Sequence, residues 1–405
     1  MIRDIYFNNI KKLLYGSGLS HLIPILCAPI LTRLFTPDDF GQFGLYLSLV
    51  GLFALAAGGC YHLAILLPEE DAAADTIKTI ALFFNIIFCI FLCFMIYIFK
   101  NIDVVSFIYS SLGDLIYIMP LSVLSYSLFD IVNYSLNRIK KYDKMKNARI
   151  SRSFFSQGSS IFIGFNMLGP LGLVFGNLLG NITPTLINIK QLRIKTENIK
   201  KLLYKYNEFP LYQMPTSLLN TFSNHSPIYF FTYFFTIKAV GFYALVQKLF
   251  SVPIGLISSS VSQVFYKECC DLYKDQKSTK LIYYKTLYTL VCIALPVSVF
   301  LFLFSESIVS FIFGKEWSVA GRYIKYLSPA FFMRFIVSPL STILIVQERI
   351  KLLSLWKISY FITSTITLYI CCVNFSIEKT IIIYSCHEVA LYLFYLILQI
   401  KSQKE

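Results

Sequence analysis

Among the basic side chains that lie inside otherwise apolar stretches of the sequence, three are candidates for function: Arg33, Lys248 and Arg334. An unpaired cation at the centre of a bilayer costs about 2.5–3.5 kcal/mol, so each of them needs a partner, a route to the interface or a ligand. Guanidinium and ammonium groups bind anionic oxygens strongly in water-poor surroundings. Arg334 is the hardest of the three to place at an interface and is therefore the first candidate for contact with an anionic ligand.

The positions of Arg33 and Lys248 allow more than one interpretation. Arg33 stands near the end of its apolar stretch, where it could reach the interface or pair with Asp38 or Asp39. Lys248 stands deeper than such a reach easily allows, and we expect it to face a polar cavity.

A second set of residues could pair with these cations or carry a proton: Asp130, Glu388, His387, His21 and His62. Glu388 adjoins His387, which is compatible with a proton-coupled site and equally with a buried structural ion pair. Single histidines in a helical bundle are more often packing residues than proton relays.

One apolar stretch carries an unusually polar run, which includes Asn220, Asn224 and His225. Pro215 and Pro227 bracket this run and could interrupt the helix, which would free backbone groups to line a cavity. The first apolar stretch contains two prolines as well. The first and seventh helices are therefore the predicted gating pair.

The elements that must position these residues are membrane helices. The chain is 56% hydrophobic and 14% charged, with a mean hydropathy of +0.65. A helix crosses a bilayer core with roughly 20 apolar residues. Twelve stretches meet this requirement, and the predicted helices cover residues 13–35, 42–67, 77–99, 107–137, 153–168, 170–189, 212–237, 240–264, 284–304, 323–346, 353–373 and 380–400.

The basic residues predict the orientation of these helices. Twenty-six of the 36 lysines and arginines fall at the N-terminus, at the C-terminus or in alternate loops between the stretches. Cationic loops resist translocation, so both termini and these loops are predicted to be cytoplasmic. The net charge of +14 is explained by the same loops, which meet anionic lipid headgroups. The basic segment 138–152 has one aromatic residue, Tyr142, so no nucleic acid partner is expected.

Several classes of protein are disfavoured by what the sequence lacks. The ten cysteines include no Cys-x-x-Cys pair, and no His-Glu-x-x-His or glycine-rich phosphate motif is present, so neither a metal site nor a catalytic site is expected. The first apolar stretch has no small-residue cleavage site and is predicted to be retained as a helix. The longest loops have about twenty residues, at 190–210 and 265–284. An enzyme acting on external glycans usually has a larger external loop.

An internal repeat predicts the architecture. Residues 31–50 match residues 231–250 at an offset of 200, with six identities, among them Thr36 with Thr236 and Gly41 with Gly241. A second match pairs the motif at 137–140 with that at 348–351. Both matches relate each helix to the sixth helix after it, so the two halves insert with the same orientation.

This arrangement is typical of a transporter. We predict an all-α integral membrane protein with twelve transmembrane helices in two parallel six-helix lobes around a central cavity. The predicted divisions are an N-terminal lobe at 1–190, a cytoplasmic linker at 191–211 and a C-terminal lobe at 212–405. Substrate would lie between the lobes and be exposed to each side in turn.

Three segments carry a family resemblance: LTRLFTPDDFGQFGLYLSLV, LAILLPEEDAAA, and the long stretch 212–268 that begins YQMPTSLLNTF. They resemble the polysaccharide-biosynthesis branch of the MOP exporters, which are Wzx-type flippases with a MATE-like fold. The resemblance implies transport of an undecaprenyl-pyrophosphate-linked oligosaccharide, such as an O-antigen unit of lipopolysaccharide or a capsule repeat unit, across the bacterial cytoplasmic (inner) membrane. It also implies lipids, a polysaccharide polymerase and a chain-length regulator as partners, and leaves H⁺ and Na⁺ open as the coupling ion.

The chemistry of such a cargo agrees with the polar residues in the helices. Its sugar needs a polar cavity, its pyrophosphate needs cations, and its polyprenyl tail can stay in lipid. The residues predicted to bind cargo are Arg334, Lys248, Arg33, His225, Asn224 and Asn220. Those predicted to couple or gate transport are Asp130, Glu388, His387, His21 and His62.

Three other functions remain as alternatives. A MATE-like drug or cation exporter would share the fold and the repeat but should favour acidic cavity groups. A lipid II flippase usually has two further helices and a more cationic first lobe. A membrane-embedded polysaccharide polymerase or ligase would be an enzyme with a large periplasmic loop.

Overall fold

The computed structural model of the chain describes residues 2–98, 103–166 and 169–403, with the backbone alone described at 2–17, 103–106, 253, 256–260 and 350. Within these ranges the chain is helical and has no β-strand, and twelve of its helices have eighteen residues or more. They are α1 (Ile2–Leu34), α2 (Pro37–Ala57), α3 (Asp71–Ile98), α4 (Leu115–Arg138), α5 (Tyr142–Gly164), α6 (Pro170–Ile187), α7 (Met214–Phe234), α8 (Ile237–Lys274), α9 (Lys280–Phe313), α10 (Ser318–Val337), α11 (Ile350–Asn374) and α12 (Ile377–Ser402).

These twelve helices correspond in order to the twelve predicted stretches. In the described part of the chain, eight helical segments are long and apolar enough to cross a membrane by length and composition. The prediction of an all-α membrane protein is confirmed. The described part of the chain also contains four shorter α-helices, at Tyr61–Ala64, Asp103–Leu112, Ile199–Lys205 and Ile343–Val346.

The helices separate into two compact units, residues 1–233 and 234–405. Almost all of α7 therefore belongs to the first unit. Its Tyr229 hydroxyl donates a hydrogen bond of 3.0 Å to the carbonyl oxygen of Ser48 on α2, and the rings of Tyr233 and Phe107 lie 5.0 Å apart. The lobe boundary predicted from the repeat stays a prediction, because a repeat relates corresponding helices whereas these units reflect which helices pack together.

The repeat coincides with equivalent helix boundaries. α1 and α7 end, and α2 and α8 begin, at the same offset of 200 residues. Thr36 caps α2 and Thr236 caps α8, each accepting a hydrogen bond from the backbone N–H three residues on, at 3.2 and 3.3 Å. An N-cap threonine satisfies a donor that the helix itself leaves unpaired. The matched threonines of the repeat are therefore helix-start signals.

Two predicted helices are broken by left-handed residues. The helix predicted at 42–67 ends at Ala57, because Gly59 and Cys60 have φ values of 52° and 58°, which a right-handed helix cannot include. The helix predicted at 107–137 is likewise split at Gly113, with φ of 56°. Hydropathy misses both breaks, since each lies within a longer stretch that is apolar on average.

Other boundaries also differ from prediction. α5 starts at Tyr142 rather than at 153, so the basic segment that was assigned to a loop is largely helical. α7 runs through Pro227 without interruption, so the predicted proline break is wrong there. α10 ends at Val337, ahead of a turn at Pro339–Thr342.

Helices α5 and α6 approach each other through small residues. A Cβ atom at Gly176 would lie 2.7 Å from the carbonyl oxygen of Ser156, and one at Gly180 would lie 2.8 Å from that of Arg152. Glycines four residues apart allow this close approach of backbones, a common device of membrane helices. The contact fixes the level of α5, and with it the position of the arginines that α5 carries.

Candidate functional site

The first unit holds a cluster of charges on α4 and α5. Asp130 lies eight residues before the end of α4, about 12 Å along the helix, and Arg149 and Arg152 lie at a similar level on α5. Both arginines interact electrostatically with the Asp130 carboxylate. All three residues are half-buried. The structure thus gives Asp130 two cationic partners that the sequence analysis had placed in a loop.

Aromatic rings hold Arg152 in place. Its guanidinium carbon lies 4.7 Å from the centre of the Tyr126 ring and 4.6 Å from that of Phe129, both on α4. Arginine over an aromatic face gains about 0.5–2 kcal/mol, depending on how far it is desolvated. Contact with the rings leaves the N–H groups of a guanidinium able to donate hydrogen bonds to an anion.

Arg149 extends the cluster towards two of the predicted histidines. It interacts electrostatically with Tyr134 on α4 and with His21 on α1. The Tyr134 ring in turn lies 5.2 Å from that of His62, which is buried. The structure therefore brings Asp130, His21 and His62 into one neighbourhood, although they are far apart in sequence.

The two arginines of this cluster are suited to bind an anion. Arg149 and Arg152 place two guanidinium groups in half-buried surroundings, where charge-assisted hydrogen bonds to anionic oxygens are strong. A phosphate-bearing ligand offers such oxygens. The signal for this pair was present in the sequence as two arginines three residues apart, which share one face of a helix. It was missed because charged residues lower the hydropathy of the first half of α5.

The second unit contains a different arrangement, centred on Glu388. This residue lies on α12, is 4% exposed, and interacts electrostatically with Arg334 on α10. Tyr360 and Tyr384 lie within hydrogen-bonding reach of its carboxylate. Two of the residues predicted separately from sequence, Arg334 and Glu388, are thus partners.

Tyrosines enclose this pair from three helices. Tyr243 on α8, Tyr360 on α11 and Tyr392 on α12 all interact electrostatically with both Arg334 and Glu388. Arg334 is partly exposed, whereas Tyr243, Tyr360 and Tyr392 are buried. Here one cation faces one carboxylate, so the charge is balanced within the protein.

His387 directly precedes Glu388 in the sequence, but its ring makes no hydrogen bond to the described residues. Its ring stacks near that of Tyr384, at 6.5 Å between centres. Both of its ring nitrogens are buried, and neither has a hydrogen-bond partner among the described residues. The Oε1 atom of Glu388 is also buried and has no hydrogen-bond partner among the described residues.

Only some residues of the polar run on α7 are buried. Ser223 and Ser226 are buried and donate hydrogen bonds to carbonyl oxygens of their own helix, at 2.8 and 2.9 Å. Asn224 and His225 are half-buried, and Asn220 is exposed. The three residues predicted to bind cargo are therefore accessible to different degrees on one helix.

The other two predicted cations, Arg33 and Lys248, lie on α1 and α8. Arg33, in the last turn of α1, is exposed, and Asp39 accepts hydrogen bonds from Thr36 as part of the α2 cap. Lys248 is half-buried on α8, about 16 Å along the helix from its start at Ile237. Their predicted roles in cargo binding stay predictions.

An arginine latch fixes the loop between α2 and α3. The Arg138 guanidinium, in the last turn of α4, donates hydrogen bonds to the carbonyl oxygens of Ile65, Pro68 and Glu69 at 3.1, 2.7 and 3.3 Å. It also forms an ion pair of 3.0 Å with Asp71. The latch connects the end of α4 to the segment that follows the break in α2.

The sequence matches a family model described as "Polysaccharide biosynthesis protein" over residues 30–321, well over half of the chain. A curated relative, the capsular polysaccharide biosynthesis protein CapF of Staphylococcus aureus, is 25% identical over 345 residues, which cover 82% of each chain.

Solved structures with the same fold are membrane transporters. The lipid II flippase MurJ in an inward closed conformation matches with a TM-score of 0.68 and 16% identity, covering 98% of this chain and 86% of that one. An inward-facing multidrug resistance MATE family transporter of the MOP superfamily matches with a TM-score of 0.67 and 16% identity, covering 95% and 96%. These likenesses establish the MOP fold and confirm the fold predicted from the sequence.

Proposed function

Because the chain belongs to the polysaccharide biosynthesis protein family, we propose that it is a flippase for an undecaprenyl-pyrophosphate-linked oligosaccharide, such as an O-antigen or capsule repeat unit. It would carry this cargo across the bacterial cytoplasmic membrane by alternating access, with both termini in the cytoplasm. Membership of the family and the MOP fold support a transporter of lipid-linked glycan. The particular carrier lipid and glycan are our inference.

The observation that carries the proposal is the pair of half-buried arginines on α5, Arg149 and Arg152. Together with Asp130, which interacts with both, they form a half-buried charged site. A pyrophosphate diester carries two negative charges and binds arginine in bidentate fashion. We assign the pyrophosphate to this pair, with Asp130 holding the guanidiniums in place until the cargo arrives.

The remaining predicted residues have supporting roles in this proposal. Arg334 and Lys248 would contact the cargo from the second unit, and Arg33, Asn220, Asn224 and His225 would contact its sugar or phosphate along the path. Glu388, His387, His21 and His62 would couple transport to an ion, H⁺ or Na⁺, or gate it. A polymerase and a chain-length regulator are the proposed partners that receive the product.

The test is complementation of a deletion strain in the native host. Surface glycan and lipid-linked intermediates are followed with the wild-type chain, with Arg149→Gln/Arg152→Gln, and with Lys141→Gln/Lys144→Gln. The lysine variant removes the same charge at exposed positions next to the start of α5. We expect the deletion to trap single lipid-linked repeat units on the cytoplasmic face, the lysine variant to restore glycan, and the arginine variant to fail at normal expression.

Two results would contradict the proposal. Normal surface glycan in a deletion strain that has no other candidate flippase would remove glycan transport as the function. Full complementation by the arginine variant would remove the assigned pyrophosphate site. Increased sensitivity of the deletion strain to cationic drugs, with unchanged glycan, would favour the exporter alternative.

A further inference from the structure

The segment between α6 and α7 has one buried face and one exposed face. On the short helix Ile199–Lys205 and the residue after it, Leu202 and Tyr206 are buried. Four other residues of the helix, Lys200, Lys201, Tyr204 and Lys205, are exposed. This is the pattern of an amphipathic helix that lies on a surface.

The buried face fixes the segment to the first unit. Leu202 and Tyr206 pack in one hydrophobic cluster with Tyr61, Ile65 and Ile77. The backbone N–H of Lys195 donates a hydrogen bond of 3.0 Å to the Thr79 hydroxyl on α3. The segment was predicted to be a simple linker, whereas the structure makes it a docked element.

The exposed face combines cations with large apolar side chains. Tyr204 is 82% exposed, and Ile194, a few residues earlier, is 72% exposed. Neither Lys200 nor Lys201 forms an ion pair within the residues that the structure describes. Single exposed apolar residues are common on soluble surfaces, but a segment that combines them with several lysines has the composition of a membrane-surface element.

Apolar exposure continues into the two adjoining membrane helices. Ile187, at the end of α6, is 68% exposed, and Leu211 and Tyr212, just before α7, are 60% and 70% exposed. The segment therefore starts and ends where the chain enters lipid. Because the segment joins two membrane helices, we infer that its exposed face lies at the level of the phospholipid headgroups.

We propose that this linker face (Ile194, Lys200, Lys201, Tyr204 and Lys205) binds anionic phospholipids of the leaflet it adjoins. Tyr204 and Ile194 would insert at the headgroup–acyl boundary, and the three lysines would bind phosphodiester groups. Juxtamembrane lysines near an anionic surface attract it strongly and are screened by salt. A zwitterionic bilayer has no net negative charge to attract the three lysines, so anionic headgroups are preferred.

The bound lipid would also stabilise the first unit. A Cβ atom at Gly59, one of the two left-handed residues that end α2, would lie 3.6 Å from Pro210, and Tyr61 packs against the buried face of the linker helix. Lipid on the exposed face would therefore hold the linker against the break in α2.

The test uses the full chain with Tyr204→Trp, reconstituted in vesicles. Fluorescence quenching by brominated phosphatidylglycerol is compared with quenching by brominated phosphatidylcholine, after subtraction of the wild-type signal from the two native tryptophans. We expect preferential quenching by the anionic lipid, lost on adding Lys200→Gln/Lys201→Gln/Lys205→Gln, with selectivity falling about tenfold or more. The matched control, Lys274→Gln/Lys277→Gln/Lys280→Gln, removes equal charge from exposed positions elsewhere and should leave selectivity unchanged.

Equal quenching by both lipids, or no quenching, would overturn the proposal. So would loss of selectivity in the control variant, because the attraction would then be a property of total charge. Protection from quenching by undecaprenyl pyrophosphate at low mole fraction, with no preference for phosphatidylglycerol, would assign the linker face to the cargo instead. Thermal unfolding of the variants checks that each is folded.

Discussion

Asp130 on α4 and Arg149 on α5 interact at the same level of the first unit, where Arg152 adds a second cation. The arrangement joins two helices whose connecting turn is about 10–12 Å away along each helix. Asp130 interacts with both arginines, so the cluster has consequences for stability as well as for binding.

The first prediction concerns this pair. Asp130→Asn should lower the stability of the purified chain, by about 1–3 kcal/mol, because two half-buried guanidiniums then lose a carboxylate that interacts with both. Asp130→Asn/Arg149→Gln should recover most of the loss. A thermal-unfolding double-mutant cycle measures the coupling. Additive losses would show that the two residues do not interact.

The second prediction tests whether Arg334 is needed for transport as well as for folding. Arg334→Gln alone should destabilise by about 3–5 kcal/mol, because it leaves the Glu388 carboxylate buried without its cation. Arg334→Gln/Glu388→Gln should restore folding but not transport, if Arg334 contacts the cargo as proposed. Unfolding temperature and glycan complementation are measured on the same variants. Restored transport in the double variant would make the pair purely structural.

The third prediction concerns the latch at Arg138. Arg138→Gln should cost about 2–3 kcal/mol, since three carbonyl oxygens of the α2–α3 loop lose a charged donor. Arg138→Lys should recover little, because one ammonium cannot reproduce the fork of the guanidinium. Asp71→Asn is the control: its side chain is 89% exposed, and surface ion pairs contribute little. A loss from Asp71→Asn as large as that from Arg138→Gln would place the stabilisation in the ion pair.

The fourth prediction tests the close contact of α5 and α6. Gly176→Ala and Gly180→Ala should each destabilise by about 1–3 kcal/mol, because the added Cβ would meet backbone atoms of α5 that cannot move aside. Gly158→Ala, on α5 itself, meets nothing within 4 Å and should be neutral or stabilising through helix propensity. The expression level and unfolding temperature of the three variants test this prediction. Equal tolerance of all three would show that the helices can separate.

The membrane-helix plan could be predicted from the sequence because it depends on local properties. Twelve apolar stretches give twelve helices, since each must satisfy its backbone hydrogen bonds within itself in lipid. The helix starts at Thr36 and Thr236 were visible as a repeat because an N-cap needs only residues three positions apart. The individual candidates Asp130, Arg334 and Glu388 stood out because charge in an apolar stretch is costly.

Which charges meet was decided by the tertiary structure alone. Arg149 and Arg152 look like loop residues until α4 supplies a carboxylate and two aromatic rings, and Arg334 looks unpaired until α12 supplies Glu388. The break at Gly59 and Cys60 likewise escapes hydropathy, which is insensitive to backbone angles. The sequence determined where the helices are, because burial in lipid is a property of each segment. The partners of its charges required the packing of helices far apart in the chain, because an ion pair depends on two positions in space.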